Sequence, residues 1–407
     1  MTEMRRESPY QMVPIETART MIMAHVTPLD SEEADALSAE GRILAVTISA
    51  PEDVPDVPKS AMDGYALRAT DGLDARRVVA ELTAGTQSGL QISPGTAARI
   101  MTGAPMPEGA DAMIPVEQTE ERDGVLTIQR KLRPGDNVHT VGQDIAQGQP
   151  VLARGTLLGP ADVGLLATIG VTRVAVFRRP RVAVLATGDE VYEPGGPRPA
   201  GAVRDSNRYA LMAAAREAGC ETISLGIARD DYTTQRDAIL RGLDQADVLL
   251  TSGGVSMGTR DLIKPILAEI GTVHFGRINF KPGKPTTFAT AGGKLIFGLP
   301  GYPVSSLVSF EVFVRPALRA LQGAARPERS LVRARLAAPI RPSQGRPEYQ
   351  RVILSWRDGT IWAASTGSQG SSRLISMRGA NGLLFVPAGD EPYPMGTELD
   401  AMITGVL

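Results

Sequence analysis

The residues best suited to chemistry fall in a few short stretches. Thr251 to Asp261 reads TSGGVSMGTRD, three glycines and several hydroxyls between an apolar strand run and a helix. Backbone N–H groups in such a turn, around Gly253 and Gly254, can approach a phosphate at the helix N-terminus, with Ser252 and Ser256 as added donors. Composition alone fits a plain glycine-rich turn equally well. KPGKP, Lys281 to Pro285, puts two lysines, Lys281 and Lys284, on a proline-braced turn, as an oxyanion pocket requires. Turn lysines are more often simply solvated. Acids stand at the ends of neighbouring strand runs: Glu190 in ATGDE, Asp205 in VRDSN, Asp230 in ARDD and Asp261 after the glycine turn. Such oxygen-only donors suit Mg2+, which keeps waters and shares carboxylates with substrate phosphates. Each has a structural alternative, Asp205 and Asp230 as helix caps and Asp261 as a partner of the helix dipole. Upstream, SAMDGYA (60–66) and MTGAPMPEGAD (101–111) carry ordinary turn signals, and on residue types alone they are structural.

Other chemistries are excluded. No GxGxxG occurs, and Gly283-Lys284 lacks the upstream glycine of a Walker A loop. The single Cys220 rules out a disulfide framework within the chain. With the scattered His25, His139 and His274, it also argues against a zinc centre. Forty-three basic against 45 acidic residues give a net charge of -2, so nothing global attracts nucleic acid or an anionic membrane. The uncharged apolar stretch Leu295 to Phe310 is broken by two prolines and two glycines, too short and irregular to span a bilayer. The N-terminus lacks an apolar signal region. A cytoplasmic location is expected.

The elements that must position these residues suggest an α/β multidomain chain. Pro14 to Glu40 alternates apolar and charged residues like two short helices, the second capped by Asp30 or Ser31. Residues 10–44 and 145–178 form an N-terminal helical linking unit. Residues 45–144 make an inserted β-rich domain, with Asp123-Gly124 marking a hairpin. From 179 to 323, runs such as VAVLAT (182–187), TISLGIA (222–228) and DVLLT (247–251) alternate with helical stretches, predicting a mostly parallel sheet. Ligands bind such sheets beyond the strands' carboxyl ends. Residues 324–407 form a small C-terminal β domain. Forty-three glycines and 30 prolines without a period imply many ordered turns between these elements.

Read together, PKSAMDGYALR, RIMTGAPMPEGADAMIPVE, GQDI, LATGDEV, VRDSN, TSGGVSMG, KPGKPTTF, GLPGYPVSS, RPEYQR and STGSQGSSRLISMRGANGLLFVP occur in an order that closely resembles the molybdopterin molybdenumtransferases. These are the molybdenum insertases related to the E domain of gephyrin. The resemblance implies an enzyme converting adenylylated molybdopterin and molybdate to molybdenum cofactor and AMP, assisted by Mg2+. It also implies a homodimer whose cleft combines the α/β domain of one subunit with the β-rich domain of the other. Asp63, Thr102, Asp144, Glu190, Asp230 and Asp261 match the family's functional polar positions, with Glu190, Asp230 and Asp261 as metal ligands. Ser252, Gly253, Gly254 and Ser256 match its pterin-phosphate loop. Lys281, Lys284, Ser305, Arg346 and Ser371 match positions suited to molybdate and the anionic ligand. Transient partners implied are a molybdopterin adenylyltransferase upstream and apo-molybdoenzymes downstream.

Three positions depart from the pattern: Tyr302 replaces the usual Asn of LPGNP, His139 the more common arginine before GxDI, and Arg204 an aromatic or apolar residue before DSN. A molybdopterin adenylyltransferase is a competing reading, since it shares a related α/β domain, but the inserted and C-terminal β domains argue against it. A scaffold that has kept the fold is another, opposed by retention of all the acids and both lysines.

Overall fold

A computed structural model of the chain describes residues 10–85, 89–255 and 262–407. Its centre is a six-stranded sheet in the order Glu221–Ala228, Arg181–Thr187, Val248–Ser252, Lys294–Leu299, Thr287–Ala291, Thr272–Phe275. The first four strands are parallel and the last two antiparallel. Arg181–Thr187 and Val248–Ser252 are buried almost throughout because helices cover both faces. Strand alternation divides the side chains between two cores. Val182, Val184, Val248 and Leu250 meet Leu211 and Ala215 of the Asn207–Glu217 helix. Ala183, Leu185 and Leu249 meet Ala238 and Ile239 of Tyr232–Gln245 and Ile266 of Ile263–Ile270.

The helical run after Pro303 is divided into Pro303–Ser309, a π-helical turn Phe310–Val314, and Arg315–Leu321. Pro316 has no N–H to donate within the helix, and the π turn lies immediately upstream of it.

The N-terminal segment differs from the two-helix expectation. One helix forms, Ile15–Met23, but Ser31–Asp35 is a strand antiparallel to Arg173–Phe177, with Ser31 opposite Phe177. Only Ala34 of SEEAD turns partly inward, so no helical apolar stripe exists there, and pairing with a partner strand overrides the local propensity. Asp35 caps the short turn Ala36–Ser38, its Oδ1 accepting from the Leu37 N–H at 2.8 Å, in place of Asp30 or Ser31. The Ile15–Met23 helix buries Ile15, Ala18 and Ile22 in the core of the central sheet.

A second six-stranded sheet runs Ala112–Pro115, Gly64–Leu67, Thr96–Ile100, Arg76–Leu82, Val125–Ile128, Thr119–Arg122. Asp123 and Gly124 close its hairpin with φ of 50° and 76°, the left-handed pair that a two-residue turn requires. At the C-terminus Leu331–Leu336, Thr360–Ser365, Glu348–Arg357, Gly382–Val386 and Glu398–Ile403 close a barrel. Tyr349, Leu383 and Met402 carry that barrel onto the central core. Among the described residues, no helix is long and apolar enough to cross a membrane.

Candidate active site

Three parallel strands, Arg181–Thr187, Val248–Ser252 and Lys294–Leu299, end side by side and open into a cleft of about 590 Å³. Thr187, Glu190, Asn207, Ser252, Gly253 and Tyr302 are among the residues lining it. The glycine turn forms one wall. Gly253 has φ +95°, and a Cβ there would stand 2.9 Å from both the carbonyl oxygen and Oγ1 of Thr187. Gly254 has φ +66°, and a Cβ would meet Ile263 Cγ1 at 2.8 Å. Both positions therefore need glycine, for backbone conformation and for space. Gly253 N–H donates to the Leu299 carbonyl at 3.1 Å. Ser256 and Asp261 lie outside the described residues.

Asn207, inside the VRDSN stretch but not singled out from sequence, locks the turn in place. Its Nδ2 donates to Ser252 Oγ at 2.7 Å and to the Gly301 carbonyl at 2.8 Å, so one amide joins two cleft walls. An asparagine opening an apolar helix looks like a cap, and nothing in the spacing revealed this bridging role. Asp205 is structural. It is buried with Arg208 in an ion pair at 2.7 Å, and its other oxygen accepts from the Arg208 N–H at the start of the helix.

The acids are arranged unequally. The Glu190 carboxylate folds back over Gly188, where a Cβ would come within 2.6 Å of its Oε2. Asp230 Oδ2 accepts from the Asp189 N–H at 3.4 Å and Oδ1 from Gln235 Nε2 at 3.3 Å. The helix cap beside it is Asp231, which accepts from the Thr234 N–H at 2.7 Å. Among the described residues, no three His, Cys, Asp or Glu side chains gather as a metal-holding group. The expected third ligand, Asp261, falls outside them. A Mg2+ ion needs only one or two protein carboxylates when substrate phosphates complete its shell; Glu190 and Asp230 follow adjacent strands, and of the two Glu190 lines the cleft.

The two lysines of KPGKP part company. Lys281 Nζ lies 3.2 Å from Glu348 Oε1 and 2.9 Å from Ser343 Oγ, and its backbone bridges to the barrel strand at Glu348. Glu348 is 2% exposed, so this lysine neutralises a buried carboxylate. Lys284 has no acidic partner among the described residues. Its amine is held below the ordinary lysine value by burial first, then by the guanidinium groups of Arg277 and Arg346. Arg346 donates to the Phe280 carbonyl at 3.3 Å, and the Ile278 N–H closes the loop onto the Lys284 carbonyl at 2.9 Å. Three cations thus gather beside Pro285, itself a cleft residue. Arg277 lies in TVHFGRINF, two residues beyond the strand that ends at Phe275, and nothing in that run marked it for the site.

Ser305 is buried in the Pro303–Ser309 helix, and the Ser371 carbonyl accepts from the Val304 N–H at 3.1 Å, which brings Ser372 to the cleft. Asp63 and Thr102 form a separate exposed pair. The N–H and Oγ1 of Thr102 both donate to Asp63 Oδ1 at 2.7 Å and draw its carboxyl below the ordinary value. Asp144 occupies an exposed turn, its N–H donating to the Val54 carbonyl at 3.0 Å. None of these three lines the cleft of its own chain.

Comparison with known proteins agrees along the whole chain. Family models match residues 13–170 ("MoeA N-terminal region (domain I and II)"), 183–320 ("Probable molybdopterin binding domain") and 333–403 ("MoeA C-terminal region (domain IV)"). A molybdopterin molybdenumtransferase 2 from Mycobacterium tuberculosis is 38% identical, over 89% of this chain and 92% of its own. A gephyrin from Dictyostelium discoideum is 34% identical over 98% of this chain, which spans 63% of that relative's length. The crystal structure of a molybdopterin biosynthesis MoeA protein from Pyrococcus horikoshii superposes with a TM-score of 0.85 at 32% identity, covering 98% of this chain and 100% of that one.

Proposed function

Since the chain belongs to the molybdopterin molybdenumtransferases, transferases of molybdenum cofactor biosynthesis, we propose that it inserts molybdenum from molybdate into adenylylated molybdopterin and releases AMP. The observation that carries this reading is the cleft itself: a glycine turn suited to a phosphate on one wall, and on another Pro285, next in sequence to Lys284, whose amine feels the guanidinium groups of Arg277 and Arg346. A substrate with phosphates and a second, separate oxyanion matches both walls. Charge-assisted hydrogen bonds from the cations hold the oxyanion, while the backbone at Ser252 to Gly254 holds the pterin phosphate. Glu190 and Asp230 are the carboxylates that would hold Mg2+, which when bound supplies positive charge to the phosphate being cleaved. No side chain is needed as a covalent nucleophile, since water or a molybdate oxygen attacks the phosphoanhydride. The chain binds, orients and excludes bulk water.

The Asp63–Thr102 pair belongs to a shared site in this reading. Its exposed carboxylate projects from the β-rich sheet, and the same turn of a second copy would complete the cleft in a homodimer. Division into units 10–44 with 145–178, 45–144, 179–323 and 324–407 follows the same logic. Transient transfer from an adenylyltransferase and to apo-molybdoenzymes would take place at this mouth, in the cytoplasm.

The test supplies adenylylated molybdopterin, Mg2+ and molybdate, and follows AMP release together with reconstitution of an apo-molybdoenzyme. Molybdate-dependent AMP release with reconstitution is the expected result. AMP release without any reconstitution would refute insertion and leave a hydrolase.

A further inference from the structure

Arg204 and Tyr302 are the two largest side chains lining the cleft, and the structure gives only one of them a task. Arg204 is spent on its own loop: Nη1 donates to the carbonyls of Glu193 at 3.1 Å and Gly196 at 3.0 Å, and to that of Pro194. Tyr302 has no such task. It lines the cleft, is 62% exposed, and among the described residues its hydroxyl and ring have no hydrogen bond or ring partner.

The backbone beneath this ring is firmly held. Tyr302 is the N-cap of the Pro303–Ser309 helix with φ -73° and ψ 130°, its carbonyl accepting from the Ser306 N–H at 3.0 Å, and Pro303 restricts it, as the preceding residue, to extended backbone. The preceding Gly301 is tied through Asn207 to Ser252, and a Cβ on it would stand 3.7 Å from Gly253 Cα. The ring is therefore one residue from the glycine turn that suits a phosphate. Pro285, Pro300 and Pro303 line the cleft with it and give that side flat apolar walls. An aromatic ring with two rotatable bonds, anchored at its backbone and largely exposed in the cleft, is a stacking platform at low entropic cost.

We propose that Tyr302 is a specificity residue of this site, stacking on a fused bicyclic heteroaromatic ring carried one linker away from the bound phosphate. Adenine and the pterin both have that chemistry. This inference rests on the proposed function for the identity of the ligand, but its test needs no turnover.

Equilibrium dialysis of the full chain would use three probes: AMP, 6-hydroxymethylpterin phosphate and inorganic phosphate. Y302L should weaken at least one ring-bearing probe about tenfold, equivalent to about 1.4 kcal/mol. It should leave inorganic phosphate and the melting temperature unchanged, because the side chain is exposed. Y302F should restore binding, as stacking needs the ring and not the hydroxyl. Weakening confined to AMP places adenine on Tyr302, and weakening confined to the pterin probe places the pterin there. Two results overturn the inference: equal affinity of Y302L and wild type for both ring probes, or wild-type binding of neither ring probe more tightly than inorganic phosphate. Failure of insertion with intact ring discrimination would refute the functional reading alone.

Discussion

Replacing Gly253 by alanine probes a point where the cleft wall presses against the backbone of a central strand. The backbone there has φ +95°, beyond the ordinary left-handed region, so a side chain costs about 1–3 kcal/mol in strain alone. The new Cβ would also stand 2.9 Å from the Thr187 carbonyl oxygen and Oγ1. Thr187 cannot retreat, since it is buried at the end of a central strand and its hydroxyl donates to the Ser252 carbonyl at 3.3 Å. A further cost on the order of 1 kcal/mol follows from forcing the turn away from the strand. Gly292 separates the two contributions: its φ is +55°, but nothing lies within 4 Å of a Cβ. G292A should therefore cost about 1 kcal/mol and G253A about 2–4 kcal/mol. For a unit of this size each kcal/mol moves the melting temperature by about 2–4 °C. Scanning calorimetry should then show a drop of about 5–15 °C for G253A and about 2–4 °C for G292A. G253A should also weaken inorganic phosphate binding, which G292A leaves intact. Equal drops for the two variants would show that Thr187 does not confine the turn, and unchanged phosphate binding in G253A would remove the turn from the phosphate site.

The remaining expectations concern charge. K284A should raise the molybdate concentration needed for half-maximal insertion about tenfold, for a lost charge-assisted bond of about 1.5 kcal/mol, with binding of adenylylated molybdopterin less affected. Equal weakening of both ligands would place the lysine on the pterin phosphate. E190Q should slow AMP release strongly without moving the melting temperature, and release at the wild-type rate with the same Mg2+ dependence would make Glu190 a turn acid only. Mixing D63A with E190A chains should regenerate some active sites in mixed dimers, whereas mixed dimers without activity would end the shared-site idea. Burial pushes the Asp247 carboxyl up, but two bonds from Arg178 at 2.8 and 2.7 Å and the Arg181 N–H at 2.8 Å outweigh it and leave the value lowered. That stabilisation is present above the ordinary value of 3.8 and lost as pH falls through the lowered one, so D247N should cost about 2 kcal/mol at pH 7. In denaturant titrations the difference from wild type should shrink below pH 3.8, and a pH-independent difference would contradict the linkage.

The α/β sheet was legible because its signals are local and agree. VAVLAT and DVLLT are continuous apolar runs that only a sheet covered on both faces can bury, and the observed strands Arg181–Thr187 and Val248–Ser252 overlap them closely. Ser31–Asp35 was illegible for the opposite reason. Its pairing residues, Arg173–Phe177, lie far along the chain, and SEEAD itself favours neither state strongly. Asn207 and Arg277 show the same limit within the site. Their types were visible, but the bond from Asn207 to Gly301 spans 94 residues, and the neighbours of Arg277 come from two other segments.

The divergence of Lys281 and Lys284 shows why spacing could not assign them. Gly283 between them has φ +130°, and a Cβ on it would collide with Phe280 and Ser309, so the turn is pressed into the core and its flanking lysines leave toward different neighbours. Lys281 meets a buried carboxylate that would be costly to leave unpaired, and its charge is consumed there. Lys284 meets two guanidinium groups instead. Like charges brought together oppose one another in the free protein, and this repulsion adds to the effect of burial in holding the Lys284 amine below its ordinary value. An oxyanion placed among the three groups converts the repulsion into attraction without moving any of them, so the cost of gathering the cations is met during folding and does not recur when the ligand binds. Removing one cation should therefore weaken the oxyanion site by the whole of its own charge-assisted bond, while the relief of the other two appears in the stability of the ligand-free fold.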